Sequence, residues 1–270
     1  MKSRRRFIFD AAKGLMVPFA SGQIVRAATI MIRGPQPIVA SGSPAWTEAE
    51  RATPVVANNA AQTFTLGTGV ASGKLAVAVL GWEGSPTVTS VQDSQGNTWN
   101  LRGQRQVSSV HNTAIADFQL TSTLGPGATI TVNFSASANT TRAMVLGYVS
   151  NVAASGQNDA TTANNTFSNT EALTHTTVAA NAFIVASVCV QAYTSNALTT
   201  SIDYVNGASF TQSGAVYNFG TQAGSTAGLK LYVLWKQATT AAAYSAGGQF
   251  QENGVQHNET YLLVASSYKP

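Results

Sequence analysis

The stretch Thr87–Leu101 constrains the fold of this chain more than any other. Two short segments rich in β-branched and aromatic residues flank the sequence Asp-Ser-Gln-Gly-Asn at 93–97. An aspartate side chain can accept hydrogen bonds from the amides that follow it, and glycine readily adopts the positive φ that closes a turn. The pattern therefore predicts a β-hairpin with a four- or five-residue loop.

Short segments of the same kind recur over residues 46–270, separated by polar turns, and no long helical pattern is present. In Ala114–Leu120, alternation predicts that Asp117 and Gln119 point to water. Lys74–Leu80 is apolar on both faces, which indicates a central strand. We predict an all-β, antiparallel β-sandwich. The expected strands are Gln62–Leu66, Lys74–Trp82, Thr87–Gln92, Thr98–Gly103, Thr113–Thr121, Ala128–Ser135, Arg142–Val149, Leu173–Val178, Ala182–Ala192, Ser201–Val205, Leu229–Lys236, Ala242–Gly247 and Tyr261–Tyr268.

A weak internal repeat divides this body. Leu75–Ala78 recurs 108 residues later as Phe183–Ala186, and the elements come in the same order in both halves. Both one sandwich at 46–270 built from two similar halves and two tandem sandwiches, at 55–152 and 165–270, fit this pattern. We favour the single sandwich, because no Pro-rich linker separates the halves and neither half has an obvious closing strand of its own.

The N-terminal residues differ from the body in composition. Gly34–Pro54 contains four prolines together with Gly and Ser, which predicts an extended, non-helical linker. We therefore divide the chain into an extended basic N-terminal arm at 1–45 and a β-sandwich domain at 46–270.

Charged residues are scarce and unevenly distributed. Only 10% of the residues are Asp, Glu, Lys or Arg, against about 25% in an average soluble protein, so neutral polar side chains must cover the surface. Residues 1–44 hold seven basic residues and one acidic residue, a net charge of +6, and the remainder has eight basic and ten acidic residues, a net charge of −2. The body lacks the basic face of a nucleic-acid-binding domain, so we expect no nucleic acid to bind it.

The first residues match an export signal. Ser3–Ile8 has the polar residue, the paired arginines and the aromatic and aliphatic residues of a twin-arginine (Tat) leader, and Val25–Ala27 offers small residues for cleavage. On this interpretation the mature chain begins near Ala28 and is periplasmic or extracellular. Lys13 inside the apolar stretch and Arg26 at the cut argue against it. The stretch is also too short and too interrupted to predict a transmembrane segment.

The arm also carries a resemblance to a known class of proteins. Arg4–Ile8, Gly14–Pro18 and Ile24–Met31 resemble the N-terminal leader of proteins of tailed bacteriophages, in which it precedes β-sandwich modules of virion surface or tail-associated proteins. The pattern Val-x-Asp-x-x-Gly-Asn-Thr-Trp at 91–99 is similar to jelly-roll-like or lectin-like modules of phage and bacterial surface proteins. The resemblance implies that fold, a location in the virion and an arm that docks on other virion proteins. The docking residues would be Arg4, Arg5, Arg6, Phe7, Ile8 and Arg26.

No motif for catalysis or cofactor binding is evident. His111, His175 and His257 are widely separated, which predicts solvated loop or strand-end residues rather than a metal site. Cys189 lies alone in an apolar run and predicts a small buried residue rather than a reactive thiol. We expect no enzyme activity, no metal and no cofactor.

A glycosidase needs two carboxylates that face each other across a cleft. The spacing of the carboxylates in this sequence does not identify any such pair. A calcium site at Asp93 and Asn97 would fall short of the six to eight oxygen ligands that calcium prefers. Turn-forming or solvated acids are therefore the favoured interpretation. The body carboxylates considered are Glu83, Asp93, Asp117, Asp159, Glu171, Asp203, Glu252 and Glu259.

Aromatic side chains are the best candidates for ligand binding. Trp82 and Trp99 could stack on a sugar ring at a loop edge, with Asp93 and Asn97 as polar neighbours. Core packing is the alternative, and it is favoured for Trp99 and for Trp235, which lie in alternating strands.

The resemblance to tailed-phage proteins, taken with these patterns, implies a non-enzymatic structural virion protein, expected to be a homo-oligomer, with a role in decoration or host-glycan attachment. The polar stretches Ser155–Asn169 and Tyr217–Gly228 would be receptor-facing tips or plain connections. A Tat-exported bacterial carbohydrate-binding or adhesion module is the alternative, followed by an exported glycan-active enzyme on the same scaffold.

Overall fold

Most of the body segments in which short apolar runs or alternating residues predict strands form β-strands where the structure describes them. A computed structural model describes residues 42–107, 111–152, 158–168, 170–191, 198–201, 210–214, 217–219, 229–252, 255–256 and 259–270. These residues form an all-β, antiparallel β-sandwich fold, which confirms the predicted fold class. The strands are β1 (Ala45–Thr65), β2 (Leu75–Glu83), β3 (Val88–Asp93), β4 (Asn100–Val107), β5 (His111–Gln119), β6 (Thr129–Ser150), β7 (Asn158–Ser168), β8 (Thr170–Thr176), β9 (Phe183–Gln191), β10 (Leu198–Ser201), β11 (Thr211–Gln212), β12 (Tyr217–Phe219), β13 (Leu229–Gln237), β14 (Ala243–Glu252), β15 (Val255–Gln256) and β16 (Glu259–Tyr268).

Two long strands organise the first half of the body, β1 to β6. β1 pairs with β6 over most of its length. On the other side of β6, β2 pairs with its second part and β3 with its first part. The strand order is β1-β6-β2-β5-β4, with β3 beside β6. Because β6 passes from one set of partners to the other, the sheet curls and encloses a core between two layers, as in a jelly roll.

The second half, β7 to β16, repeats this order. Its sheet runs β11-β13-β9-β16-β7, and a second sheet pairs β14 with β8 and β10. Leu75 of β2 pairs with Val149 and Gln119, and Phe183 of β9 pairs with Tyr268 and Gln237 in the same way. β7 and β8 together thus take the place of the unbroken β1, and β14 and β16 together take the place of the unbroken β6.

Apolar side chains form three buried clusters in the described residues. One fills the interior of the first half around Leu80 and Leu146, and another fills the second half around Ile184 and Leu234. The third lies between the halves and joins the outer faces of the two central sheets. Its members include Leu75, Val77, Val79, Ile115, Val145, Phe183, Val185, Leu231, Val233 and Val264. β2 is therefore apolar on both faces because each face packs against a different layer.

Part of the predicted linker is a strand. β1 begins at Ala45, so the interpretation of Gly34–Pro54 as an extended linker is wrong from that residue on. Pro54 is tolerated because β1 is the last strand in its sheet order and the register shifts between Ala52 and Val55; proline cannot donate to a ladder but is accepted at edges and bulges.

Two further predictions need correction. The polar stretch Ser155–Asn169 is predicted to be a loop tip or a connection, but it contains β7, which pairs with β16 along its length. An edge strand rich in Thr can form without alternating apolar residues, so no strand pattern is visible in the sequence here. The turn at Thr87–Leu101 forms, but its flanking strands separate after the Gln92–Thr98 bridge: β3 pairs with β6, and β4 pairs with β5.

All the described residues belong to the unit Pro37–Pro270. Within the described ranges, no helix has the length and apolar character that would cross a membrane.

Candidate functional site

The carboxylate of Asp93 organises the turn after β3. It accepts hydrogen bonds from the backbone amides of Gln95 (2.9 Å) and Asn97 (3.1 Å) and from the Asn97 side chain (3.0 Å). Its Oδ2 also accepts from the Trp99 indole nitrogen at 3.1 Å. Gly96 closes the turn with φ +84. Every contact of the carboxylate thus lies within its own turn, and the arrangement fixes backbone geometry.

The tryptophans predicted as glycan contacts lie in the core. Trp82 is 1% exposed and Trp99 3% exposed. The Trp82 indole donates to the Pro86 carbonyl at 2.6 Å, and its ring packs edge-on against Phe134. Neither ring offers a free face to a sugar in this conformation. Both tryptophans are core residues, in line with the alternative interpretation of core packing. Trp235, also considered, is half-buried and stacks on Phe183 at a centroid distance of 5.6 Å.

The residues predicted to dock the arm lie outside the described residues. They are Arg4, Arg5, Arg6, Phe7, Ile8 and Arg26. Their role stays a prediction. His257 also lies outside the described part.

The two described histidines lie at strand ends, as predicted, His111 at the start of β5 and His175 near the end of β8, but the prediction that they are solvated is wrong. His111 is 0% exposed and His175 1% exposed. A ring nitrogen of His175 lies 2.9 Å from the Ser267 hydroxyl. Among the residues that the structure describes, no three His, Cys, Asp or Glu side chains come together as a metal site would require.

Asp117 was expected to face water, and this prediction is wrong. Its side chain is 0% exposed, because the second half covers the face of β5 from which it projects. Arg102 donates to both carboxylate oxygens, at 2.6 and 2.9 Å, and Asn100 donates at 3.2 Å. Burial raises the pKa of Asp117, and the Arg102 cation opposes that shift. A neutralised ion pair at an internal surface fits a structural role.

Cys189 is 0% exposed within β9, as predicted for a small buried residue. Burial and, to a smaller degree, the Glu83 carboxylate raise the pKa of its thiol. The thiolate, which is the nucleophilic form, is therefore suppressed.

A polar network that the sequence patterns did not reveal joins the two halves. The Trp46 indole donates to the Ser213 hydroxyl (2.7 Å), which donates to Glu48 (2.6 Å). Arg51 pairs with Glu48 and also donates to the Ser213 carbonyl (2.8 Å). Three of these residues, Trp46, Glu48 and Arg51, lie in the segment predicted as a linker, so no sequence pattern pointed to them.

Comparison of the chain with models of known protein families, with curated proteins and with solved structures gave no match.

Proposed function

We propose that this chain is a structural protein of a tailed-phage particle, with a surface-displayed β-sandwich body that an N-terminal basic arm docks on other virion proteins. The proposal assigns it no catalytic role. Two properties support it: the separation of charge along the chain and the construction of the body.

Charge separation carries the proposal. Fifteen basic residues are present, and seven of them lie in the first 44 positions. A short basic segment can bind an acidic partner surface while the near-neutral body stays out of electrostatic contact.

The body suits display on a particle. The apolar cluster between the halves joins their outer faces, so that the central sheets are covered on both sides. Uncharged polar residues, which are abundant in this chain, keep an exposed surface soluble without strong attraction to nucleic acid.

Within this proposal, decoration is favoured over host-glycan attachment. The rings of Trp82 and Trp99 are packed in the core, and the Asp93 carboxylate is occupied by its own turn. A glycan-binding role would need aromatic faces elsewhere. We expect the particle to hold several copies of the chain.

The docking role is tested during particle assembly. A chain with Arg4→Ser, Arg5→Ser and Arg6→Ser should be lost from particles purified on a density gradient, because its arm has lost three charges. The matched control removes three basic residues from the body, Arg105, Lys236 and Lys269, and should leave incorporation unchanged. Equal incorporation of both variants would contradict arm docking, and absence of the unaltered chain from particles would contradict the virion location.

A Tat-exported bacterial carbohydrate-binding or adhesion module is the second candidate. The match of Ser3–Ile8 to the twin-arginine pattern favours it specifically. Export predicts that replacing Arg4 and Arg5 by lysine retains the chain in the cytoplasm at its full length. A glycan array with the processed chain would then test for binding.

A further inference from the structure

An arginine that forms no ion pair with any described residue lies inside the first half of the body. Arg142 of β6 is 1% exposed and points to the interior, opposite Trp82 in the neighbouring β2. Its guanidinium carbon lies 4.1 Å from the centre of the Phe134 ring. Nη2 donates to the carbonyls of Asn59 (2.6 Å) and Ala138 (3.4 Å). This side of the guanidinium is satisfied by neutral groups.

The other side of the guanidinium meets no partner among the described residues. Within that part of the chain, Nε and Nη1 of Arg142 are buried without a hydrogen bond, and so is the hydroxyl oxygen of Thr140 two residues earlier in β6. Residues i and i+2 of a strand project from the same face, so these atoms share one side of β6. The methyl of Thr140 lies against Gly84, where an added Cβ would come within 2.7 Å of it.

No carboxylate among the described residues forms an ion pair with Arg142. Glu83, the acid beside Trp82, instead accepts a hydrogen bond from the Thr141 amide at 2.9 Å. An arginine side chain keeps its proton in proteins, and a buried charge without compensation is strongly unfavourable. Burial alone lowers the pKa of this group, which agrees with the missing counter-charge.

The fold itself does not demand this arginine. Val190 of β9 takes the place of Trp82 in the second half, and its partner in β16 is Tyr261. Tyr261 is a buried member of the second apolar cluster. The same strand position is thus filled by an uncharged side chain in one half and by a cation with unpaired donors in the other.

We propose that Arg142 and Thr140 bind a small inorganic anion of the halide type inside the first half. Three kinds of donor are available, Nε–H, Nη1–H and the Thr140 hydroxyl, and one negative charge balances one guanidinium. The low exposure of Arg142 and Thr140, 1% and 8%, selects an ion over the carboxylate of a partner protein, because a protein segment has no open path to them.

Anomalous diffraction from crystals of the full chain grown in sodium bromide tests the site. We expect a bromide peak within hydrogen-bonding distance of Arg142 and none beside Tyr261, which serves as the internal control. Density at Arg142 that carries no anomalous signal would identify water and overturn the proposal.

Thermal unfolding separates a functional ion from an adventitious one. At constant ionic strength, exchange of methanesulfonate for chloride should raise Tm of the unaltered chain by about 2–4 °C. Arg142→Met should abolish this rise and Arg105→Met, on an exposed arginine, should keep it. Should Arg142→Met fail to fold, Thr140→Val retains the cation and should weaken the chloride response. A bromide peak without any chloride effect on Tm means an adventitious ion only and contradicts the proposal.

Discussion

The apolar cluster between the halves allows a quantitative prediction of how much stability the protein loses when Leu231 is truncated. This residue of β13 projects from the outer face of the second half and is 0% exposed because the first half covers it. Leu231→Ala removes three carbon atoms, each worth about 0.8 kcal/mol when buried, and leaves a cavity between the two halves. We expect the free energy of unfolding to fall by about 3 kcal/mol.

Leu234 supplies the matched control. It lies in the same strand, is 0% exposed and belongs to the interior cluster of the second half. Leu234→Ala should cost a similar amount whether or not the halves pack together. Urea unfolding followed by circular dichroism measures both variants. A loss below about 0.5 kcal/mol for Leu231→Ala, the range typical of surface positions, with a large loss for Leu234→Ala would refute the packing of the two halves.

Three other predictions concern single sites. Asp93→Ala leaves the indole N–H of Trp99 and two backbone amides without an acceptor, so the free energy of unfolding should fall by about 2–4 kcal/mol in urea titrations; an unchanged midpoint would show that the turn does not depend on the carboxylate. The thiol of Cys189 should resist iodoacetamide at pH 8 and react fully in denaturant, because burial raises its pKa; rapid native labelling, read by mass spectrometry, would contradict its place in the core. Gly147→Ala puts a methyl 2.2 Å from the Trp46 ring and should cost about 1–3 kcal/mol, and a second change, Trp46→Leu, should recover part of that loss if the contact is its cause.

The fold class could be predicted because period-two alternation is a local property. Lys74–Leu80, apolar on both faces, was correctly interpreted as a central strand, and the third cluster supplies the physical reason. The length of β1 could not be predicted in the same way. Pro54 and the polar residues around it suggest a linker, and only the pairing with β6 makes that segment a strand.

The environment of a polar residue was the least predictable feature. Alternation in Ala114–Leu120 showed that Asp117 lies on the face opposite the first core, but it could not show that a second sheet covers this face. The same limit applies to His111, which is on the same strand. Arg142 was missed for a related reason, since its unpaired donors are visible only when every neighbour is placed.

The N-terminus of the native protein decides between a docking arm and a cleaved leader. Intact-mass spectrometry of the chain from its natural source should find Met1, or the residue after it, still present in the particle fraction, with all three arginines at 4–6 retained. A native N-terminus near Ala28 in a periplasmic or secreted fraction would contradict the docking arm and establish export instead.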